Sequence, residues 1–122
     1  MPKRVLIVDD EEWICSVLQD YLEESGYTVH TAASLSLART EIGLPDLPDA
    51  VVVDMTLPDG SGLSLLNEMR GNTRTKEIPI ILITAHTMQK VQENSSASMP
   101  NDCILKPFNL RDFKARLERQ LH

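Results

Sequence analysis

Short apolar runs that each close on a polar side chain constrain this chain more than any other feature. Val5–Val8 runs into Asp9, Ala50–Val53 into Asp54, Ile80–Ile83 into Thr84, and Ile104–Leu105 into Lys106. Runs this short, rich in β-branched residues and bounded by turn formers, read as strands; those without alternation are strands covered on both faces. The spans Arg4–Asp9, Tyr27–Thr31, Asp49–Asp54, Pro79–Thr84 and Asp102–Leu105 are therefore read as five strands. Val29 points inward on the second.

Helix-period segments separate them. Ile14, Val17, Leu18, Tyr21 and Leu22 fall on one helical face, and Gly26 stops that helix. Ser34 can cap a second helix reaching Ile42, before the Leu44–Pro48 stretch breaks the chain. Leu57–Gly62 (LPDGSG) is dense in loop formers, and Leu63, Leu66 and Met69 then line a third helix that ends near Gly71 and Asn72. Between His86 and Pro100 only Met88, Val91, Ala97 and Met99 serve as anchors, with Asn94, Ser95 and Ser96 among them. A helix there is expected to be short, frayed or mobile. Asn109 caps the last helix, with Leu110, Phe113, Leu117 and Leu121 inward. Strand and helix alternating five times predict an α/β domain with a parallel sheet and helices on both faces, because crossovers are right-handed. One domain is expected to fill residues 1–122.

Composition narrows the function. The 122 residues are 42% hydrophobic and carry a formal charge of −6, which argues against a nucleic-acid grip built on clustered Lys and Arg. No apolar stretch approaches a membrane span and MPKRVLIVDDEE has no leader pattern, so the reading is a cytoplasmic protein without membrane contact. Cys15 and Cys103 match no zinc or CxxC spacing and are read as free thiols.

In a parallel sheet the carboxyl ends of all strands lie on one edge, where open α/β sheets bind ligands. Asp9, Asp10, Asp54, Thr84 and Lys106 should meet there. Carboxylates gathered in one crevice repel one another, and burial adds to that, unless a cation joins them. Magnesium is the natural cation, since it takes hard oxygen ligands and keeps several waters; manganese is the alternative ion. A carboxylate so placed can attack phosphorus, with the Thr84 hydroxyl and the Lys106 ammonium as donors to the transferred group. Taken singly these residues have plainer readings. Asp9–Asp10 with Glu11 and Glu12 suits a solvated helix start, Asp54 before Pro-Asp-Gly suits turn chemistry, Thr84 suits a strand end, and Lys106 suits the surface.

The segments VLIVDDEE (5–12), VVVDMTLPDGSG (51–62), ILITA (81–85) and ILKPF (104–108) resemble the receiver domains of two-component response regulators, close to the chemotaxis regulators, over essentially the whole chain. The resemblance implies a flavodoxin-like (βα)5 three-layer sandwich with a five-stranded parallel sheet in the order 2-1-3-4-5. It implies that Asp54 is phosphorylated by a histidine kinase or histidine phosphotransfer protein. Asp10 would then bind magnesium directly, Asp9 through water, and Thr56 through its backbone carbonyl. Thr84 and Lys106 would bind phosphoryl oxygens, and the Lys106–Pro107 peptide would be cis. Such a domain catalyses its own phosphorylation and slow dephosphorylation and turns over no metabolite. His86 is read either as an exposed loop residue or, with Thr56, as a modulator of phosphoryl lifetime.

The chain departs from that family at Cys103, where many receivers carry an aromatic switch residue, and at Met99–Pro100, where a Gly-Ala pair is common. Both fall on the output face, so phosphotransfer is expected to be retained with an unusual switch surface. Arg111, Lys114, Arg116 and Arg119 read most simply as a solvated face. The sharper alternative is a homodimer through the last helix and fifth strand, with Asp102, Asp112 and Arg116 in charge contacts across a two-fold. A phosphorylation-independent interaction module is the competing function. A haloacid-dehalogenase-type phosphatase fits poorly, since it wants a second acid where Thr56 stands. Whether the native chain continues past His122 is left open.

Overall fold

The computed structural model describes residues 2–85 and 99–121. Five strands form one parallel sheet: β1 (Arg4–Val8), β2 (Thr28–Ala32), β3 (Ala50–Asp54), β4 (Ile80–Thr84) and β5 (Asp102–Leu105). Their order is β2-β1-β3-β4-β5, the flavodoxin-like arrangement expected. Four helices are described, α1 (Glu12–Glu24), α2 (Leu35–Ile42), α3 (Gly62–Arg70) and α4 (Leu110–Leu121). Residues 86–98, which include His86 and most of the weak helical segment expected after β4, lie outside the described residues, so α4 is the chain's last helix.

Alternation along the central strands divides the core in two. Leu6, Val8, Val51, Val53, Ile80 and Leu82 face α2 and α3, meeting Leu35, Ala38, Leu65, Leu66 and Met69. Val5, Ile7, Ala50, Val52, Ile81 and Ile83 face the other side, meeting Ile14, Leu18 and Leu22 of α1 and Phe113 and Leu117 of α4. Successive residues of a strand point to opposite faces, so two apolar layers need β1, β3 and β4 to be apolar throughout. Each fully buried Leu, Ile or Phe contributes roughly 1.5–3 kcal/mol, which makes these three strands the rigid base for whatever lies at their ends.

The helix boundaries follow local chemistry. Ser34 Oγ accepts from Leu37 N at 3.1 Å and Asn109 Oδ1 from Asp112 N at 3.1 Å, as side-chain caps do. Gly26, at φ +97°, closes α1 while Tyr27 N returns to Leu22 O at 3.0 Å. Two expectations need correction. Val17 is 41% exposed, because the inward stripe of α1 is the narrower set Ile14, Leu18 and Leu22 and Val17 falls beside exposed Trp13. Thr56–Leu57 and Gly60–Ser61, within and beside the expected loop, form a two-residue antiparallel hairpin. No described helix is long and apolar enough to cross a membrane.

Candidate functional site

Asp54 ends β3, Thr84 ends β4, Asp9 follows β1 and Lys106 follows β5, so their convergence follows from the parallel register alone. Lys106 Nζ lies 3.0 Å from Asp54 Oδ2, 3.1 Å from Glu11 Oε1 and 3.5 Å from Asp9 Oδ2. Asp9 is 1% exposed and Asp54 7%. Among the described residues, Asp9, Glu11 and Asp54 each offer a carboxylate oxygen, and the three lie within 4.8 Å of one another. The Lys106–Pro107 peptide is cis.

Asp9 is the most constrained member. Its Oδ1 accepts from Glu11 N at 2.9 Å, whereas its Oδ2 is buried without a hydrogen bond. The Lys106 contact to that oxygen is an ion pair at the edge of bonding range. Burial pushes the Asp9 carboxyl above its ordinary value, and the Asp54 charge adds to this; the Glu11 N–H and the Lys106 ammonium offset it in part. For Lys106, burial acts downward, but its bonds to Asp54 and Glu11 and the charge of Asp9 outweigh it and hold the ammonium well above the ordinary lysine range. A buried carboxylate oxygen with no donor, beside two other carboxylates, is the donor chemistry that a hard divalent cation satisfies.

The folded chain also presents Glu11 beside Asp9 and Asp54. Asp10 is exposed and, together with Asp9, lines a groove that Glu12, Cys15 and Thr31 help to close. Glu11 is the residue before α1 and is still extended, at φ −86° and ψ 106°. The chain bends at Asp10, and the Glu11 N–H closes back on Asp9 Oδ1, which sets Glu11 beside Asp9. Sequence alone assigns Glu11 to the first turn of the helix; no local pattern signals its place in the crevice.

Thr84 is 1% exposed and its hydroxyl donates to Met55 Sδ at 3.3 Å. Thr56 is exposed, with its N–H on Asp54 Oδ1 at 3.2 Å. The loop after Asp54 is held from two sides. Gly62 N donates to Met55 O at 2.8 Å, and the Asp59 carboxylate accepts from Leu35 N at 2.8 Å and Ser36 N at 3.0 Å at the start of α2. Those bonds hold the Asp59 carboxyl below the usual range. A depressed folded pKa means stability that is present above the unfolded value, about pH 3.9, and lost as pH falls through the folded value. Asp59→Ala should therefore unfold at lower urea than wild type at pH 7, with the gap closing in strong acid. Parallel pH dependences of the two midpoints would refute the tie.

On β5, Cys103 packs partly buried against the α2–α3 core layer, and burial first, then the Asp102 charge, raises its thiol. Cys15 and Cys103 are both free. The charges expected to meet across a two-fold satisfy one another within the chain. Arg116 Nη1 binds Asp102 Oδ1 at 2.8 Å and its Nε binds Asp112 Oδ2 at 3.1 Å. Lys114 is not purely solvated either, since its ammonium lies 5.9 Å from the centre of the Tyr21 ring on α1.

Comparison with known proteins agrees with this geometry. The family model described as the response regulator receiver domain matches residues 5–118. The chain is 34% identical over 117 residues to the transcriptional regulatory protein KdpE of Staphylococcus aureus, covering 96% of this chain and 49% of that protein. It spans about half the length of the curated relatives it matches. Among solved structures, chemotaxis response regulator CheY4 of Vibrio cholerae superposes with a TM-score of 0.90 at 26% identity, covering 99% of this chain and 100% of that one. Response regulator TrrA of Thermotoga maritima, solved in complex with Mg2+ and BeF, superposes at 0.84 with 31% identity, covering 98% and 99%. With its sheet order, its acidic crevice and a match over nearly its whole length, this chain belongs to the receiver domains of two-component response regulators.

Proposed function

We propose that residues 1–122 form one phosphoacceptor unit in which Asp54 takes a phosphoryl group from a phosphohistidine on a histidine kinase or histidine phosphotransfer protein. The observation that carries this reading is the contact of Lys106 Nζ with Asp54 Oδ2 at 3.0 Å beside buried Asp9. It puts a nucleophilic oxygen, a fixed cation and an under-satisfied carboxylate in one crevice. In the transfer, an Asp54 oxygen forms a P–O bond as the donor's P–N bond breaks, and the imidazole keeps the electron pair and takes up a proton. Hydrolysis then returns the carboxylate when water attacks phosphorus.

Asp9, Asp54, Asp10 at the rim and the Thr56 carbonyl would hold magnesium, with manganese as substitute. The ion would supply charge neutralisation for the equatorial phosphoryl oxygens. Lys106 is placed to pair with the same oxygens, and Thr84 to donate its hydroxyl after exchanging its sulfur partner. Thr56 beside Asp54, and His86, would set phosphoryl lifetime. A homodimer through β5 and α4 would have to rest on apolar residues such as exposed Leu105, because Asp102, Asp112 and Arg116 already pair internally.

Incubation with magnesium and acetyl phosphate tests the reading. An acid-stable, base-labile adduct on Asp54, absent from Asp54→Ala and from chelated samples, is the expected result. A correctly folded wild-type protein that takes no label would leave the phosphorylation-independent interaction module as the better account.

A further inference from the structure

We infer that Glu11 acts as a stand-in for the phosphoryl group: its carboxylate holds the Lys106 ammonium and the Trp13 indole in the resting protein, and phosphorylation takes Lys106 away and releases Trp13. The inference rests on the phosphoacceptor reading above and adds a positioning residue to it.

An ammonium has three N–H donors, and those of Lys106 face Asp54 Oδ2 at 3.0 Å, Glu11 Oε1 at 3.1 Å and Asp9 Oδ2 at 3.5 Å. Two of those donors are hydrogen-bonded, to Asp54 and Glu11, and a phosphoryl oxygen on Asp54 competes with both for the ammonium. Phosphorylation turns the Asp54 carboxylate into an acyl phosphate, so its contact with Lys106 passes to phosphoryl oxygens carried by the same residue and draws the ammonium toward them. The Glu11 side chain is 43% exposed, and water can solvate it once it lets go. Glu11 is the hydrogen-bonded partner that does not travel with the phosphoryl group, so it is the one that yields.

Its departure has a defined second effect. Glu11 Oε2 accepts from Trp13 Nε1 at 3.0 Å, so one carboxylate links the site to α1. Trp13 is 66% exposed and borders a groove with Val17, Phe108 and Leu110. Phe108 comes two residues after Lys106. Release of Glu11 would thus alter the indole and the edge of this groove together. The chain has a single tryptophan, so its emission reads this one contact.

The test uses the whole chain at saturating magnesium, with beryllofluoride as the non-covalent phosphoryl mimic and acetyl phosphate as the donor. In wild type, Trp13 emission should stay constant with magnesium alone and change on adding beryllofluoride. Glu11→Gln should start near the changed emission and lose most of the response. Its labelling by acetyl phosphate should be roughly two- to five-fold faster, as expected for removing one partly exposed charged competitor. Trp13→Phe keeps the charge but frees Glu11, so it should label faster by a smaller factor; it also carries the rate test should Glu11→Gln fail to fold. Labelling of both variants at the wild-type rate overturns the inference, as does an emission change complete with magnesium alone, which would make Glu11 a metal ligand. Absence of label on wild-type Asp54 is a different failure and removes the phosphoacceptor reading itself.

Discussion

Replacing Lys106 with methionine is expected to lower the unfolding free energy of the chelated protein by about 3 kcal/mol at neutral pH, the low end for removing one partner of a buried ion pair. The low end applies because the Lys106 side chain keeps 20% exposure. The loss arises from what remains, since Asp9 and Asp54 would face each other and Glu11 with no cation among them. Asp9 already sits above its ordinary pKa through burial, and loss of Lys106 would raise it further. A raised carboxyl favours the folded state at low pH and loses that contribution as pH rises through the folded value. The deficit of the variant should therefore shrink on acidification. On the proposed reading magnesium binds the folded form and stabilises it by mass action, so the deficit should also shrink on adding it. Urea midpoints with and without chelator measure both effects. Equal midpoints for the two chelated proteins would mean that Lys106 does not offset carboxylate repulsion. On the same proposed reading, phosphoryl labelling in the variant should fall sharply, with Thr84 left as the side-chain donor to the transferred group.

The second large effect belongs to Gly62. A Cβ on that residue would collide with Asp54 O and lie 3.1 Å from Val53 Cγ2. Both obstacles belong to the all-buried strand β3, so neither can swing aside. Gly62→Ala should cost about 1–3 kcal/mol, the usual range for overpacking, and slow labelling of Asp54 by displacing its carbonyl. Gly71→Ala is the control. That glycine has φ −85° and nothing nearer than 3.5 Å, so the change should stay within about 0.5 kcal/mol. If the two variants unfold at the same urea concentration, the close approach of α3 to the end of β3 is not a packing constraint.

Much of this was readable from residue order. Ser34 and Asn109 announced helix starts because their short side chains can reach backbone N–H groups two or three residues on. The uninterrupted apolar runs of β3 and β4 announced strands covered on both faces, and the polar residue closing each run announced the reactive edge. Val17 misled because a five-residue stripe fits one helical face equally well whether or not a neighbouring element covers its flank. Gly62 sat in a segment recognisable as turn-forming, but no local pattern records that another strand's carbonyl lies against it. Asp59 likewise reads as a turn residue until α2 is brought up against it.

The residue order by itself determined the alternation of strands and helices, the two-sided burial of the central sheet, and which side chains stand at the strand ends, because those depend on periodicity and on the one-directional geometry of parallel strands. Only the tertiary structure decided that Glu11 joins Asp9 and Asp54 in the crevice, and that Arg116 closes on Asp102 and Asp112 within one chain. Those outcomes depend on where extended backbone gives way to helix and on which partner lies within about 3 Å, distances set by the packing of elements remote in the chain.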